Sequence, residues 1–243
     1  MNINSIKKYI INLKRRPDRL EHSRKEMEYM GWDFIAFEGI DKKSYIGCGL
    51  SHMAIAQMLL DSNDEHIIVM EDDLFFMPYA KVLLENVENA LNHTDWDLFH
   101  FAPSIHRPIH KPDGILTDLS NVPPKDPNRH RGIFGTSGFI YNRRVAEAVT
   151  KWNTNEIIEN VHMHNAIDQY FDIAIYPKFK SFCAKYPIVT QIDNQSDING
   201  TYDKNHYLMT YQWNAYIHPL ANSMQNFDHC LNLRKYGKLG VEI

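Results

Sequence analysis

The chain has 243 residues, a formal net charge of -4, an apolar share of 44% and a charged share of 23%. That suits one sizeable α/β domain of ordinary globular composition. It supplies no basic field for a nucleic-acid backbone, and no apolar run is long enough to cross a bilayer. Cys48, Cys183 and Cys230 are far apart and form no CxxC pair, so neither a disulfide framework nor structural zinc on paired cysteines is expected.

The amino terminus lacks the apolar core and small-residue cleavage site of a signal peptide, and a cytoplasmic location is the expectation. Residues 8–13 form a first predicted strand. Pro17-Asp18 starts a helix, with Leu20, Met27 and Met30 on one face and Gly31 as its stop. A second strand is expected over 33–37. Gly47-Cys48-Gly49 is expected to turn tightly into a helix over about Ser51 to Leu60, and a third strand over 66–70. Pro78 opens a helix that carries Val82, Leu83, Val87, Ala90 and Leu91, and 96–101 is a further strand. Strands alternating with helices predict a mainly parallel sheet covered by helices.

Between Pro103 and Arg131 six prolines and three histidines interrupt the pattern. This Pro/His-rich stretch, 103–131, is expected to be a long loop rather than a domain boundary. A strand with small residues in its middle follows at 133–141, then helices over 143–152 and about 166–171. Residues 200–243 form a tail whose fold the pattern does not predict. The whole chain, 1–243, is expected to be a single domain.

The densest chemistry lies in His66-Ile67-Ile68-Val69-Met70-Glu71-Asp72-Asp73. A buried strand that ends in three acids puts repelling charges at the rim of a core, and a cation or several donors must meet them. Side chains alternate along a strand, so Glu71 and Asp73 point one way and Asp72 the other. Such a pair suits Mg²⁺ or Mn²⁺. Acids favoured by a helix N-terminus are the competing reading. The first strand ends in Asn12-Leu13-Lys14-Arg15-Arg16-Pro17-Asp18-Arg19, with four cations in six residues. Ligands bind outside the carboxyl ends of parallel strands, where guanidinium groups meet phosphates. Against that stands a solvated helix start.

Other signals are weaker singly. Ser51 reads as an anion-facing residue or a plain N-cap, and His52 as a ligand or a hydrogen-bonded core residue. Gly135-Thr136-Ser137-Gly138 is not GxSxG, because Phe139 replaces the last glycine. His162 and His164 with Asp168 form a possible metal trio. Asp168 sits in an apolar turn, where desolvation could poise it as a base or where it simply caps a helix.

In this order, 11–19, Gly47-Cys48-Gly49-Leu50-Ser51-His52, Val69-Met70-Glu71-Asp72-Asp73, Trp96-Asp97-Leu98, 135–140, Ile167-Asp168-Gln169 and 191–198 resemble glycosyltransferase family 25. That family includes lipooligosaccharide and collagen hydroxylysine galactosyltransferases. The resemblance covers about residues 8–200. It implies a GT-A-like fold, an inverting transfer, a UDP-sugar donor (most often UDP-galactose), Mn²⁺ or Mg²⁺, and a glycan or collagen-like polypeptide acceptor. Glu71 and Asp73 would hold the metal. Asn12, Leu13, Arg16, Arg19, Ser51, His52 and Asp72 would line the donor. Asp168 would be the catalytic base, matching the acid of a Pro-Val-Asp-like motif with Ala166-Ile167 in place of its first two residues. Apart from the resemblance, the 103–131 stretch is expected to help form the acceptor site, with a disordered surface loop as the competing reading. The alternatives are a metal-dependent phosphodiesterase or nucleotide-sugar hydrolase using Asp72, Asp73, His162 and His164, and a non-catalytic carbohydrate-binding protein with a transferase fold.

Overall fold

The computed structural model describes residues 1–42, 45–107, 109, 114–124, 130–152, 166–195, 197, 202–203, 206, 209 and 227–236. Strands β1 (Lys8–Asn12), β2 (Ile35–Glu38), β3 (His66–Glu71) and β4 (Leu74–Phe76) alternate with helices α1 (Pro17–Met30), α2 (Ile46–Leu60) and α3 (Ala80–Asn92). β5 (Leu98–His100), β6 (Ser104–Ile105), β7 (Leu116–Asp118), β8 (Ile133–Phe134) and β9 (Gly138–Asn142) come next. They are followed by α4 (Arg143–Val149) and α5 (Ile167–Tyr170), which runs into a π turn at Phe171–Ile175. β10 (Ser181–Ala184), β11 (Val189–Gln191), β12 (Asn194–Gln195), β13 (Tyr202–Asp203) and α6 (Phe227–Tyr236) complete the described elements.

The main sheet has seven strands in the order β2-β1-β3-β9-β5-β10-β7. β1 pairs in parallel with β2 and β3, and β5 with β10. β9 runs antiparallel between β3 and β5, and β7 runs antiparallel on the edge. Five strands therefore share one direction, as the alternating pattern predicts. β9 is the exception inside the sheet, because α3 and β5 are laid down before the chain returns beside β3.

The sheet separates two cores. Tyr9, Ile11, Ile67 and Val69 face the side of α2, with Ile55, Ala56 and Leu59. Ile10, Ile68 and Met70 face the side of α1 and α3, with Met27, Leu83 and Val87. The chain goes from β1 through α1 to β2 on one side, then through α2 to β3 on the other. β1 and β3 are adjacent and parallel, so their carboxyl ends lie side by side, and such ends are where open parallel sheets bind ligands.

Several local expectations are met with instructive changes. Pro17 occupies the start of α1, and Gly31, at φ 74°, closes it while its N–H and that of Trp32 bond the Glu28 and Met27 carbonyls. That left-handed stop favours glycine. α2 begins at Ile46, so Gly47-Cys48-Gly49 is its first turn rather than a turn before it, and Ser51 is not its N-cap. The glycines serve close approach. A Cβ on Gly47 would lie 2.3 Å from the Ile40 carbonyl oxygen, and one on Gly49 would lie 2.2 Å from the Trp152 ring. On α3, Leu83, Val87 and Leu91 are buried, but Val82 is 53% exposed. The expected strand over 133–141 is two strands, broken where Gly135 takes φ 88°. The 103–131 stretch is not wholly irregular, since β6 pairs with β8 and β7 joins the edge of the main sheet. In the tail, Arg234 of α6 bonds both Glu26 oxygens at 2.8 and 2.9 Å and stacks over Tyr29 and Phe75. No helix among the described residues is long and apolar enough to cross a membrane.

Candidate active site at the ends of the first and third strands

The alternation of β3 sends its terminal acids to opposite sides. Glu71 continues the face of Ile67 and Val69 and meets α2. Its Oε1 accepts from Thr136 Oγ1 at 2.5 Å and from Cys48 Sγ at 3.2 Å. His52 Nε2 stands 3.7 Å from the same oxygen, beyond hydrogen-bond reach but close enough for a charge to be felt. Burial pushes the Glu71 carboxyl up, but His52, Thr136 and Cys48 outweigh it and hold the group below its usual value.

Asp72 turns the other way, towards Asn12 and Arg19. Asn12 Nδ2, at the end of β1, donates to Asp72 Oδ2 at 2.6 Å, and Arg19 Nη1 donates to Oδ1 at 3.1 Å. Burial raises its pKa, while Arg19 and Asn12 oppose the rise. Asp73 lies on the turn between β3 and β4 and is 7% exposed. Gln191 Nε2 sits 3.5 Å from Glu71 Oε2 and 3.3 Å from Asp73 Oδ1, so one amide spans both acids. Arg19 Nη1 approaches Asp73 at 3.6 Å. Burial first, then the charges of Glu71 and Asp72, push the Asp73 carboxyl up to about 7. Such a group is only partly ionised at neutral pH, and a further cation beside it would favour the charged form.

The basic segment after β1 is folded against a second acidic wall. Arg19 bonds Asn194 and the Gln195 carbonyl and lies 3.8 Å from Asp197. Arg16 pairs with Asp197 and with Asp18, and Arg15 with Asp41 and Asp197. Arg19 is therefore the cation that joins the acids of β3 to the 194–197 segment. The Leu13 carbonyl accepts from Arg16 N at 2.7 Å, which forms the turn into α1. The Ser51 hydroxyl is used inside the fold, donating to the Gly47 carbonyl and accepting from Ile40 N.

Asp168, in the first turn of α5, accepts from Gln169 N at 2.8 Å and Gly135 N at 3.3 Å. Burial raises its pKa, and the charge of Glu71 adds to the rise. Gly135 thus holds Asp168 while the next residue, Thr136, holds Glu71. The loop before it is pinned by fully buried Asp172, which accepts from the N–H groups of Arg131, Gly132 and Ile133 and faces His130 Nδ1 at 3.2 Å.

The expected site residues Asn12, Arg19, Glu71, Asp72 and Asp73 are brought together here. Arg16 joins them through Asp197, and His52 from the α2 side. Thr136, Gln191, Asn194 and Asp197 are contacts whose roles are not predicted from the sequence, although all except Asp197 lie on strands or on the loop between β8 and β9. His162 and His164 lie outside the described residues.

The domain is α/β, with a mainly parallel seven-stranded sheet, helices on both sides and charged side chains gathered at the carboxyl ends of β1 and β3. The family follows from the sequence comparison. The profile described as "Glycosyltransferase family 25 (LPS biosynthesis protein)" matches residues 42–169, more than half the chain, and the chain belongs to that family. A "Glycosyltransferase 25 family member" of Aedes aegypti is 28% identical over 124 residues, covering 39% of this chain and 20% of that protein. A Drosophila melanogaster protein with the same description is 27% identical over 124 residues, with the same two coverages. The chain spans about a fifth of the length of these relatives. Among solved structures, a glycosyltransferase involved in the glycosylation of the major capsid of PBCV-1 gives a TM-score of 0.46 at 10% identity, over 79% of this chain and 94% of that one.

Proposed function

We propose that the protein is a metal-dependent, inverting glycosyltransferase that moves a sugar, galactose from UDP-galactose in the first instance, onto a hydroxyl acceptor. The acceptor is a saccharide or a hydroxylysine of a collagen-like protein. One observation carries the reading. Adjacent residues Gly135 and Thr136 tie Asp168 and Glu71 into one unit, so a carboxylate suited to taking a proton is held beside the acids at the end of β3.

The donor set fits a hard cation. Glu71 and Asp73 offer carboxylate oxygens bridged by one amide, and burial beside two like charges leaves Asp73 short of positive charge. A Mn²⁺ or Mg²⁺ ion held there would neutralise the diphosphate leaving group. Arg19 and Asn12 fix Asp72, which keeps that carboxylate off the metal side. Arg16 and Arg19 place guanidinium groups at the mouth, where a diphosphate would exchange with Asp197 as their partner. Asp168, its pKa raised by burial, takes the acceptor proton as the hydroxyl attacks.

The test is direct. The full chain is incubated with Mn²⁺, a panel of nucleotide sugars, and saccharide or hydroxylysine-containing collagen-like peptides, and products are identified by mass. Cation-dependent addition of a hexose to an acceptor is expected. Release of sugar to water without need of an acceptor would instead assign a hydrolase, and nucleotide-sugar binding without turnover a carbohydrate-binding protein.

A further inference from the structure

Cys48 and His52 are four residues apart on α2, so their side chains leave the same face of the helix. The close packing of Gly47 on Ile40 and of Gly49 on Trp152 fixes that turn of α2 against the fold. A ligand atom from each of Cys48, His52 and Glu71 lies within 4.8 Å of the other two. Cys48 Sγ is 3.2 Å and His52 Nε2 is 3.7 Å from Glu71 Oε1. A tetrahedral zinc site with bonds of about 2.0–2.3 Å has ligand-to-ligand edges of about 3.3–3.8 Å, so these two separations need little adjustment.

A second observation points to a ligand. His52 is 0% exposed, and neither of its ring nitrogens has a hydrogen-bond partner among the described residues. Buried polar atoms are normally satisfied, and this imidazole is aimed at an acid it does not reach. The chemistry of the trio also differs from that of the neighbouring acids. Thiolate, imidazole and carboxylate form a borderline set, preferred by zinc-like ions over Mn²⁺ or Mg²⁺.

We propose that Cys48, His52 and Glu71 form a binding site for a borderline divalent cation of the zinc class. The site adjoins the all-oxygen pair Glu71–Asp73 but differs from it. Glu71 turns Oε1 to Cys48 and His52, and Oε2 to Gln191. Thr136 orients the shared carboxylate through its hydroxyl, as partners of metal ligands commonly do. Three protein ligands leave a fourth position for water or another oxygen donor. The cation displaces the Cys48 thiol proton to solvent as it binds. The site stands whether or not the protein transfers sugars.

The experiment uses the full chain, stripped with chelator and titrated with Co²⁺ and Zn²⁺ in the absence of any nucleotide sugar. Co²⁺ should give a thiolate-to-metal charge-transfer band in the near ultraviolet, and one equivalent of Zn²⁺ should abolish it. Cys48→Ser should lose the band, and Cys183→Ser should keep it. His52→Gln should weaken Zn²⁺ binding by about tenfold or more, taking the loss of a ligand to cost at least what a lost outer partner does. No band in the unaltered protein overturns the proposal without reference to any variant. So does a band that survives Cys48→Ser or disappears in Cys183→Ser. Zn²⁺ retained without a band is surface binding by other histidines and also overturns it. Sugar-transfer failure leaves these readouts unchanged, so the two readings fail separately.

Discussion

Replacing Asp73 with asparagine keeps the shape of the side chain and removes its charge. The wild-type carboxyl is pushed up from 3.8 to about 7 by burial and by the charges of Glu71 and Asp72. In the unfolded chain it returns to the ordinary carboxylate range. Between the two values the folded state holds a proton that the unfolded state has released. Its contribution to stability is therefore fully present below the unfolded pKa and is lost as pH rises through about 7. The gap between 3.8 and about 7, at about 1.4 kcal/mol per pH unit, corresponds to about 4 kcal/mol. Asp73→Asn never takes on that charge. In EDTA the variant should gain stability relative to wild type as pH rises from 4 to 8, with the difference approaching a few kcal/mol. Urea denaturation followed by circular dichroism at each pH measures it. Mn²⁺ should then stabilise wild type at pH 8 and leave the variant unmoved, because only the carboxylate offers the ion a charged ligand. A wild-type-minus-variant difference that stays flat with pH, or that grows in favour of wild type in EDTA, would refute the placement of Asp73 as a buried acid that Arg19 alone does not offset.

Asp168→Asn should lower the transfer rate by about 10²–10⁴-fold while donor binding is retained, measured as kcat alongside calorimetric titration of UDP-sugar. Arg19→Lys should not replace arginine, because one ammonium cannot reach Asp72, Asn194 and the Gln195 carbonyl together. Donor affinity should fall at least about tenfold, as expected for loss of a charge-assisted contact of about 1.5 kcal/mol or more. Gly49→Ala would drive a methyl into the Trp152 ring at 2.2 Å and should cost about 1–3 kcal/mol, read as a lowered midpoint in calorimetry.

The parts of this fold that are legible in the sequence are those governed by local patterns. β3 reads as buried because Ile67 to Met70 are apolar and β-branched or long, and their alternation alone assigns Glu71 and Asp72 to opposite sides. α1 is bounded by Pro17 and Gly31, whose backbone preferences are local. What is not legible depends on distant packing. Glycine disfavours a helix, so Gly47-Cys48-Gly49 reads as a turn, yet tight contacts with Ile40 and Trp152 override that preference. The direction of β9 leaves no trace in its own apolar residues. The partners of Glu71 come from 65 residues away at Thr136 and 120 residues away at Gln191, which no spacing rule connects.

The same distance argument explains why Gly135-Thr136-Ser137-Gly138 resists reading by motif. Its residues serve the acids around them. Gly135 gives its N–H to Asp168, Thr136 its hydroxyl to Glu71, and Ser137 its carbonyl to the Glu71 N–H at 3.2 Å. Gly138 then enters β9 close to Met70 and Phe101, where a Cβ would lie 3.3 Å from each. Glycine suits position 135 through its φ of 88° and position 138 through close packing on the sheet. The loop thus sets the separation of Asp168 from Glu71, and Asp172 anchors it through three backbone N–H groups just upstream. The proposed base and the proposed metal ligand are in this way held by a single span of backbone, rather than by two independent elements.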